Sequence, residues 1–375
     1  MKFSDIIGNE QAASHLRRLI DDDRLPHALL LHGPAGVPKL ALARAAAQYL
    51  HCTNRHDGEP CGQCPTCRQH ESMNQTDTYY SFPYVKGESS SPRCCDDYME
   101  EWRQFLHDKP LVEDYQYWLR VLKNENAQPS IMTRESESIV RKMSLKAYTT
   151  RYKVLIMWLP EKMLDEAANK LLKLIEEPYD DCKFILVSDN SSEILPTIFS
   201  RTQRLELKRP SAQVIADYLM RTYGLNAQDA MAIAGPADGN VTLAEQTLDS
   251  DSENKEFHQR FVELMRLAYM RDLAKLKTWS ERIADYKREK SRRFLNYAAR
   301  QVRENFIYNL RQPALNYLTR EEEAFSTRFA PYINTANVER MFAEFNRAET
   351  DIAGNVNARI VLFDLAVRIT ILIKV

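Results

Sequence analysis

The sequence predicts an α/β fold in the N-terminal part of the chain and a helical fold in the C-terminal part. The first prediction rests on short apolar runs typical of buried parallel strands, at Ala28–His32, 153–157 and 183–188. Helical patterns, such as that of residues 39–50, separate these runs. From Ser250 onward the pattern is almost continuously helical, which predicts an all-α segment.

The segment between the first predicted strand and the first of these helices reads Gly-Pro-Ala-Gly-Val-Pro-Lys-Leu, at residues 33–40. A phosphate-binding loop in this position reads Gly, four residues, Gly, Lys, then Ser or Thr, because backbone N–H groups wrap the phosphates and the hydroxyl holds Mg²⁺. Gly33 and Lys39 are kept, whereas Pro38 and Leu40 replace the second glycine and the hydroxyl. Proline donates no N–H and leucine cannot bind a hard cation. We interpret the loop as vestigial; Lys39 could still attract phosphate, but ATP binding is doubtful.

The second half of such a site is a strand that ends in acidic residues. In an ATPase these acids hold Mg²⁺ and polarise the attacking water. Here the strand at 153–157 continues as Trp-Leu-Pro, and Glu161 follows only after the proline. With the hydroxyl and both acids missing, we predict that the chain does not hydrolyse ATP. An active motor in which Glu161 or Asp189 replaces the missing metal ligands is the alternative.

Four of the seven cysteines are grouped, with the spacing C-x8-C-x2-C-x2-C, as Cys52, Cys61, Cys64 and Cys67. Two-residue gaps let neighbouring thiolates converge on one ion, and four sulfurs form a closed tetrahedral shell. We predict a structural Zn²⁺ site, with an iron–sulfur cluster or unliganded thiols as alternatives. Because no position is left for water, the metal is expected to take no part in catalysis.

Composition sets limits on partners and location. The formal net charge is −1, so no global positive field indicates nucleic acid, and any DNA contact must be local. The N terminus has no signal-peptide pattern. The apolar stretch 360–373 is interrupted by Asp364 and Arg368 and is shorter than a bilayer span, which predicts a buried helix. We therefore expect a cytoplasmic protein without a membrane segment.

Taken together, these motifs resemble the delta-prime family of bacterial DNA polymerase III clamp-loader subunits, which are AAA+ proteins. The resemblance extends over nearly the whole chain. The residues that match the family pattern are 3–10, 25–28, the four-cysteine module, 169–178, Ser200 with Arg201, and 355–357. It implies an AAA+ α/β domain with a parallel sheet and an inserted zinc module, then a small helical lid and an all-α C-terminal collar. The expected boundaries are 1–209, with the zinc module at about 51–70 and an extra insertion at about 80–130, then 210–249 and 250–375.

The resemblance also implies a role. Delta-prime subunits are commonly ATPase-inactive and support ATP-dependent loading of the sliding clamp on primer-template DNA, in a hetero-oligomer with motor and delta subunits. The family's Ser-Arg-Cys motif stands here as Ser200-Arg201-Thr202, which makes Arg201 the expected arginine finger for a neighbour's ATP. A guanidinium suits this role because it is permanently charged and offers a rigid fork of donors.

Three features depart from the family pattern. Thr202 replaces the motif's cysteine, and residues 239–244 lack the second nucleotide-sensing arginine that many relatives carry. The insertion at 80–130 is unusually long; its aromatic residues, among them Trp102 and Trp118, favour extra packed helices over a partner surface. A zinc-dependent nucleic-acid-binding protein is a further alternative, which the balanced charge disfavours.

Overall fold

The computed structural model describes residues 1–86, 93–111, 113–123, 128–249, 251–286, 288–312 and 315–374. The strands are β1 (Ala28–His32), β2 (Thr78–Ser81), β3 (Lys153–Trp158), β4 (Cys182–Ser188) and β5 (Gln203–Glu206). The helices up to the middle of the chain are α1 (Glu10–Asp21), α2 (Lys39–His51), α3 (Pro65–Glu71), α4 (Met99–Asp108), α5 (Tyr115–Val121), α6 (Thr133–Ser144), α7 (Asp165–Glu176) and α8 (Pro196–Phe199). Those that follow are α9 (Ala212–Tyr223), α10 (Ala227–Ala237), α11 (Val241–Asp249), α12 (Asp251–Met270), α13 (Leu273–Ala284), α14 (Arg288–Asn309), α15 (Arg320–Phe329), α16 (Val338–Ala353) and α17 (Ala358–Leu372).

The chain forms two compact units. The first comprises Met1–Tyr218 together with Ala237–Leu243, and the second comprises Leu219–Pro236 together with the residues from Ala244 onward. The expected division into α/β domain, lid and collar at 209/210 and 249/250 stays a prediction.

The first unit is built on a parallel sheet with the strand order β2-β3-β4-β1-β5. The register places Leu30 of β1 opposite Leu186 of β4 and Arg204 of β5. Parallel neighbours must be joined by crossover connections, which the intervening helices supply. The predicted α/β fold with a parallel sheet is therefore confirmed, with the strands expected at 153–157 and 183–188 present as β3 and β4.

Helices cover both faces of this sheet. One set of alternating side chains packs against α1, α2, α4 and α5, and its strand members include Leu29, Leu31, Val154, Ile156 and Trp158. The intervening side chains pack against α6, α7 and α8, and include Ala28, Leu30, Leu155, Met157 and Phe184. Because both faces are buried, the strands read as continuous apolar runs in the sequence.

The described part of the insertion folds against the first of these faces. Trp102 of α4 and Trp118 of α5 are both fully buried, with ring centroids 5.3 Å apart. Trp102 also lies 5.5 Å from Trp158 at the end of β3, and the Trp118 indole N–H donates to the carbonyl of Pro83 at 2.8 Å. The expectation that these aromatic residues pack extra helices is confirmed; 87–92, 112 and 124–127 of the predicted insertion lie outside the described residues.

The second unit is helical in its described residues. Its core brings together aromatic and aliphatic side chains from α12, α13, α14, α16 and α17. The predicted C-terminal helix is present as α17, in which Leu362, Leu365 and Ile369 are fully buried. Asn357 caps this helix by accepting the backbone N–H of Arg359 at 3.0 Å. Among the described helices, none has both the length and the apolar character that a bilayer crossing requires.

Asp77 fixes the chain segment that leads into β3. Its carboxylate is 1% exposed and accepts backbone N–H bonds from Tyr148 at 2.6 Å, Thr149 at 2.7 Å and Thr150 at 2.9 Å. The hydroxyls of both threonines add further bonds. Burial opposes ionisation of Asp77, but these donors outweigh it and lower its pKa to about 2.

We expect Asp77→Asn to lower the free energy of unfolding of the first unit by about 1–3 kcal/mol at pH 7, because an amide turns one acceptor into a donor that faces other donors. The contribution of Asp77 to the free energy of unfolding is fully present above its unfolded pKa of about 4, and it is lost as the pH falls towards about 2. Urea unfolding at pH 7 and at pH 2.5 measures the free energy of unfolding of wild type and variant. The difference between the two proteins should be smaller at pH 2.5. Asp22→Asn, at an exposed aspartate, is the matched control.

Candidate functional site

The phosphate-loop segment lies where the sequence predicts, between the end of β1 at His32 and the start of α2 at Lys39. Gly33 is required by close packing, since a Cβ there would stand 2.3 Å from the carbonyl oxygen of Leu207. Gly36 has a φ of +79°, and the side chain of Asn240 lies directly over it. The loop is thus enclosed by backbone on one side and by Asn240 on the other.

The side chain of Lys39 is turned into the protein. It is fully buried, and its Nζ lies 2.8 Å from Asp189 Oδ1 and 3.7 Å from Glu113 Oε2. The same ammonium group donates to the carbonyl oxygens of Pro34 at 2.8 Å and Val37 at 3.3 Å. An ammonium has three N–H donors. Acceptors within the chain therefore surround the group that a phosphate would use.

Glu113 is a residue of this site that the sequence did not indicate. It precedes α5, is 6% exposed, and its Oε1 accepts a hydrogen bond from the backbone N–H of Leu40 in the first turn of α2. A helix N-terminus has free N–H groups and a positive partial charge, and a phosphate group commonly binds there. The Glu113 carboxylate thus combines two contacts expected of a bound phosphate, one with the helix N-terminus and one with Lys39.

Burial and mutual charge shift the ionisation of this cluster. Burial opposes the charge of Lys39, but attraction by Glu113 and Asp189 outweighs it and raises the pKa of the lysine. Burial raises the pKa of Glu113 and repulsion by Asp189 adds to this, while Lys39 and the Leu40 N–H hold it back. Burial also raises the pKa of Glu161. Lys39 therefore stays charged, and its charge stabilises the acids that surround it.

The end of β3 carries no acid in line with the strand. Leu159 takes a left-handed conformation with a φ of +56°, and Pro160 begins a short turn. Glu161 lies in that turn, where its Oε1 accepts the backbone N–H groups of Asp189 at 2.8 Å and Asn190 at 3.2 Å. The two acids named as substitute metal ligands are therefore engaged within the chain, Glu161 with backbone and Asp189 with Lys39.

Arg201 lies just after α8, on the surface. Its side chain is 35% exposed and forms an ion pair with Glu176 at the end of α7. Its Nη1 also donates to the carbonyl of Thr197 at 2.8 Å, and the Ser200 hydroxyl donates to the same oxygen at 3.2 Å. An exposed ion pair of this kind contributes about 0–1 kcal/mol, so the guanidinium can exchange partners at small cost.

The four grouped cysteines converge in the first unit. Their Sγ atoms all lie within 4.8 Å of one another, and those of Cys61 and Cys67 are 3.9 Å apart. Four sulfurs at ~2.3 Å from a tetrahedral Zn²⁺ are separated by about 3.8 Å. Backbone N–H groups of Cys61 and Cys64 point at the sulfurs of Cys52 and Cys61, both at 3.3 Å. The donor set and its spacing fit a structural zinc ion.

Comparison with known proteins places this architecture in a family. Residues 8–211, more than half of the chain, match the family described as "DNA polymerase III, delta subunit". The chain belongs to this family. The resemblance to AAA+ subunits of the DNA polymerase III clamp loader is thereby confirmed.

Individual relatives agree with this membership. The delta-prime subunit of Haemophilus influenzae DNA polymerase III is 24% identical over 237 residues, which cover 63% of this chain and 59% of that protein. The delta-prime subunit of Pseudomonas aeruginosa is 27% identical over 222 residues, 59% of this chain and 55% of that protein. The tau/gamma subunit of H. influenzae is 26% identical over 250 residues, 67% of this chain and 30% of that protein. The chain thus matches less than two thirds of the length of these curated relatives.

In this chain the sequence identified Lys39 but missed two residues of the site, Glu113 beside Lys39 and Asn240 over Gly36. Glu113 is one acid among many in an insertion without a motif, and nothing in its local sequence indicates a contact with α2. Asn240 lies in the segment that was singled out only for a missing arginine. There the Val241 N–H donates to the Gly36 carbonyl at 2.9 Å and ties this segment to the loop.

We expect Lys39→Met to lower the free energy of unfolding of the first unit by about 3–5 kcal/mol, because Glu113 and Asp189 then lack their buried cation. Denaturant unfolding followed by tryptophan fluorescence measures it. Adding Glu113→Gln should recover part of the loss, whereas the exposed control Lys173→Met should change stability by less than about 0.5 kcal/mol. A Lys39→Met protein as stable as wild type would contradict the charge balance described above.

Proposed function

We propose that this chain is a delta-prime-type subunit of the clamp loader that does not hydrolyse ATP and that serves ATPase neighbours in a hetero-oligomer. The observation that carries the proposal is the state of Lys39, which is fully buried and paired with acids of its own chain. Family membership supports the clamp-loader part, and the altered loop supports the inactive part.

The chemistry of phosphoryl transfer supports the lack of hydrolysis. Such catalysis depends on positioning by a lysine, a magnesium ion held by a hydroxyl and an acid, and an oriented nucleophile. Leu40, at the hydroxyl position, is 2% exposed and packs in the core. Glu161 and Asp189 are occupied by backbone N–H groups and by Lys39. The alternative of a motor with these two acids as metal ligands gains no support from such contacts.

We assign Arg201, with Ser200 beside it, as an arginine finger that acts in trans on the ATP of a neighbouring motor subunit. Its exposure and its weak partner Glu176 suit a group that must leave one anion for another. The guanidinium fork matches the oxygens of a γ-phosphate, and its charge does not depend on pH. Thr202 in place of cysteine leaves this chemistry unchanged.

The wider assembly follows from the same proposal. The helical second unit would serve as the collar that joins the subunits, with motor and delta subunits as partners. Through that assembly the chain would take part in loading the sliding clamp on primer-template DNA. The net charge of −1 fits a subunit whose DNA contacts are made mainly by the assembly, and it disfavours an independent nucleic-acid-binding protein.

We further propose that Cys52, Cys61, Cys64 and Cys67 hold a structural Zn²⁺. Cys52 directly follows α2, Cys64 directly precedes α3, and Cys67 lies in the first turn of α3. The ion would therefore link two helices and the loop between them. A zinc ion coordinated by four thiolates has no open position for substrate, so its contribution is to stability.

In a reconstituted clamp loader, we expect Arg201→Ala to leave assembly intact and to cut ATP turnover at the one site that it serves, by about 10³-fold. Steady-state ATPase with clamp and primed DNA, and size-exclusion chromatography of the complex, measure the two effects. Glu176→Ala removes the resting partner of Arg201 and is the matched control, with turnover expected to stay at or above wild type. Unchanged turnover with Arg201→Ala would refute the finger.

Purified protein is expected to hold one equivalent of zinc, measurable by elemental analysis. Chelation, or Cys64→Ser, should release it and lower the melting temperature of the first unit by at least about 5 °C, because folding and metal binding are coupled. Cys94→Ser changes a cysteine outside the cluster and should keep both the zinc and the melting temperature. Full thermal stability after verified loss of metal would argue against a structural ion.

A further inference from the structure

Glu113 places its carboxyl group beside Lys39 and at the start of α2, two features that bind phosphate in a phosphate-binding loop. The Leu40 N–H that it accepts belongs to the first turn of the 13-residue helix α2. Its other oxygen, Oε2, is buried without a hydrogen-bond partner and lies 3.7 Å from Lys39 Nζ. One carboxylate therefore contacts both groups that a phosphate-binding loop offers to an anion, the N–H at the helix start and the lysine.

We propose that Glu113 is an internal ligand of the phosphate-binding loop, and that its carboxylate excludes nucleotide by occupying the phosphate position. This inference deepens the proposed function and rests on its reading of the loop as a former nucleotide site. It gives a second reason for the inactivity. Besides the missing catalytic groups, the loop already holds a carboxyl group supplied by Glu113.

Described residues on both sides of Glu113 make contacts within the first unit. Asp114, the next residue, caps α5 by accepting the Tyr117 N–H at 3.0 Å. One turn further on, Trp118 is fully buried against Trp102. On the other side, the carbonyl of Pro110 accepts a hydrogen bond at 3.1 Å from Arg44, which belongs to α2 itself. The segment is therefore attached to both the sheet core and the helix whose N-terminus it fills.

The Glu113 carboxyl group and a nucleotide phosphate would need the same contacts, the Leu40 N–H and Lys39, and therefore exclude each other. Lys39 is already surrounded by Glu113, Asp189 and, slightly farther out, Glu161. A triphosphate beside these acids would add several negative charges to a site with one buried cation. Backbone packing at Gly33 and the Asn240 side chain over Gly36 leave little room for the loop to move aside. A nucleotide could bind only if the Glu113 side chain moved away from Leu40 and Lys39.

The test is a binding titration of the full-length protein with ADP and with ATP, each with and without Mg²⁺, by calorimetry. Wild type should bind neither at millimolar nucleotide. Glu113→Ala, which removes the charge and opens space, should gain affinity by at least about tenfold, an effect of about 1.4 kcal/mol. Glu113→Gln keeps the shape and the acceptor for Leu40 but removes the charge, so it should gain less.

Two controls identify the site. Glu135→Ala removes another buried carboxylate of the first unit, which accepts the Cys95 N–H at 2.7 Å, and should create no nucleotide binding. Lys39→Met added to Glu113→Ala should abolish the gained binding. If Glu113→Ala is poorly folded, Glu113→Gln with a measured melting curve decides, since ADP should raise its melting temperature and not that of wild type.

The outcomes separate this inference from the proposed function. Folded Glu113 variants that bind no nucleotide, or a wild-type protein that binds as tightly as they do, would overturn the inference, as would gained binding that survives Lys39→Met. Each of these results leaves the Arg201 assignment standing. ATP hydrolysis by the isolated wild-type chain would instead overturn the proposed function. Nucleotide binding without hydrolysis in Glu113→Ala is the result that both expect.

Discussion

The structure of the first unit depends on the buried positive charge of Lys39. Lys39 is removed from water, and a lone ammonium in that position would be strongly destabilising. Its partners come from far along the chain: Glu113 from the insertion, Asp189 from the end of β4, and the loop's own carbonyls. Glu161 in turn holds the Asp189 backbone. The charge balance at one lysine therefore fixes the relative positions of the loop, the insertion and the ends of two strands.

This arrangement separates two kinds of electrostatic contact. At the loop the ions are buried, so exchanging a partner means leaving a charge unpaired at low dielectric. At Arg201 the ion pair with Glu176 is partly exposed, and water can replace either partner. This contrast supports the proposal of a nucleotide site that does not turn over and of an arginine that exchanges its partner Glu176 for a neighbouring subunit's ATP. The loop and Arg201 lie on the same unit. The degree of burial of each ion pair determines how readily its charged groups can exchange partners.

Packing explains how an insertion without a motif reaches the loop. Its two tryptophans join Trp158 and the apolar face of the sheet, so burial of large rings supplies the free energy that orders α4 and α5. Glu113 is placed as a consequence of that order. The four cysteines act similarly at the other end of α2, where they converge to within 4.8 Å. Helix α2 thus has a carboxyl group at its start and four converging cysteine sulfurs beside its end.

The sequence by itself determined the parallel α/β class, the convergence of the cysteines and the loss of the loop's hydroxyl. It also predicted the C-terminal helix, of which only one face is buried, since Ile360 and Ile371 are exposed. These features depend on local periodicity and short spacings, which can be read from the sequence without knowledge of the tertiary contacts. Short strands such as β2 and β5 had no clear apolar run to identify them. The partners of Lys39 were decided only by the tertiary structure. Glu113 lies 74 residues away from it, and a single acid among many has no local signature, so only the packing of the insertion against the sheet brings its carboxylate to the helix N-terminus.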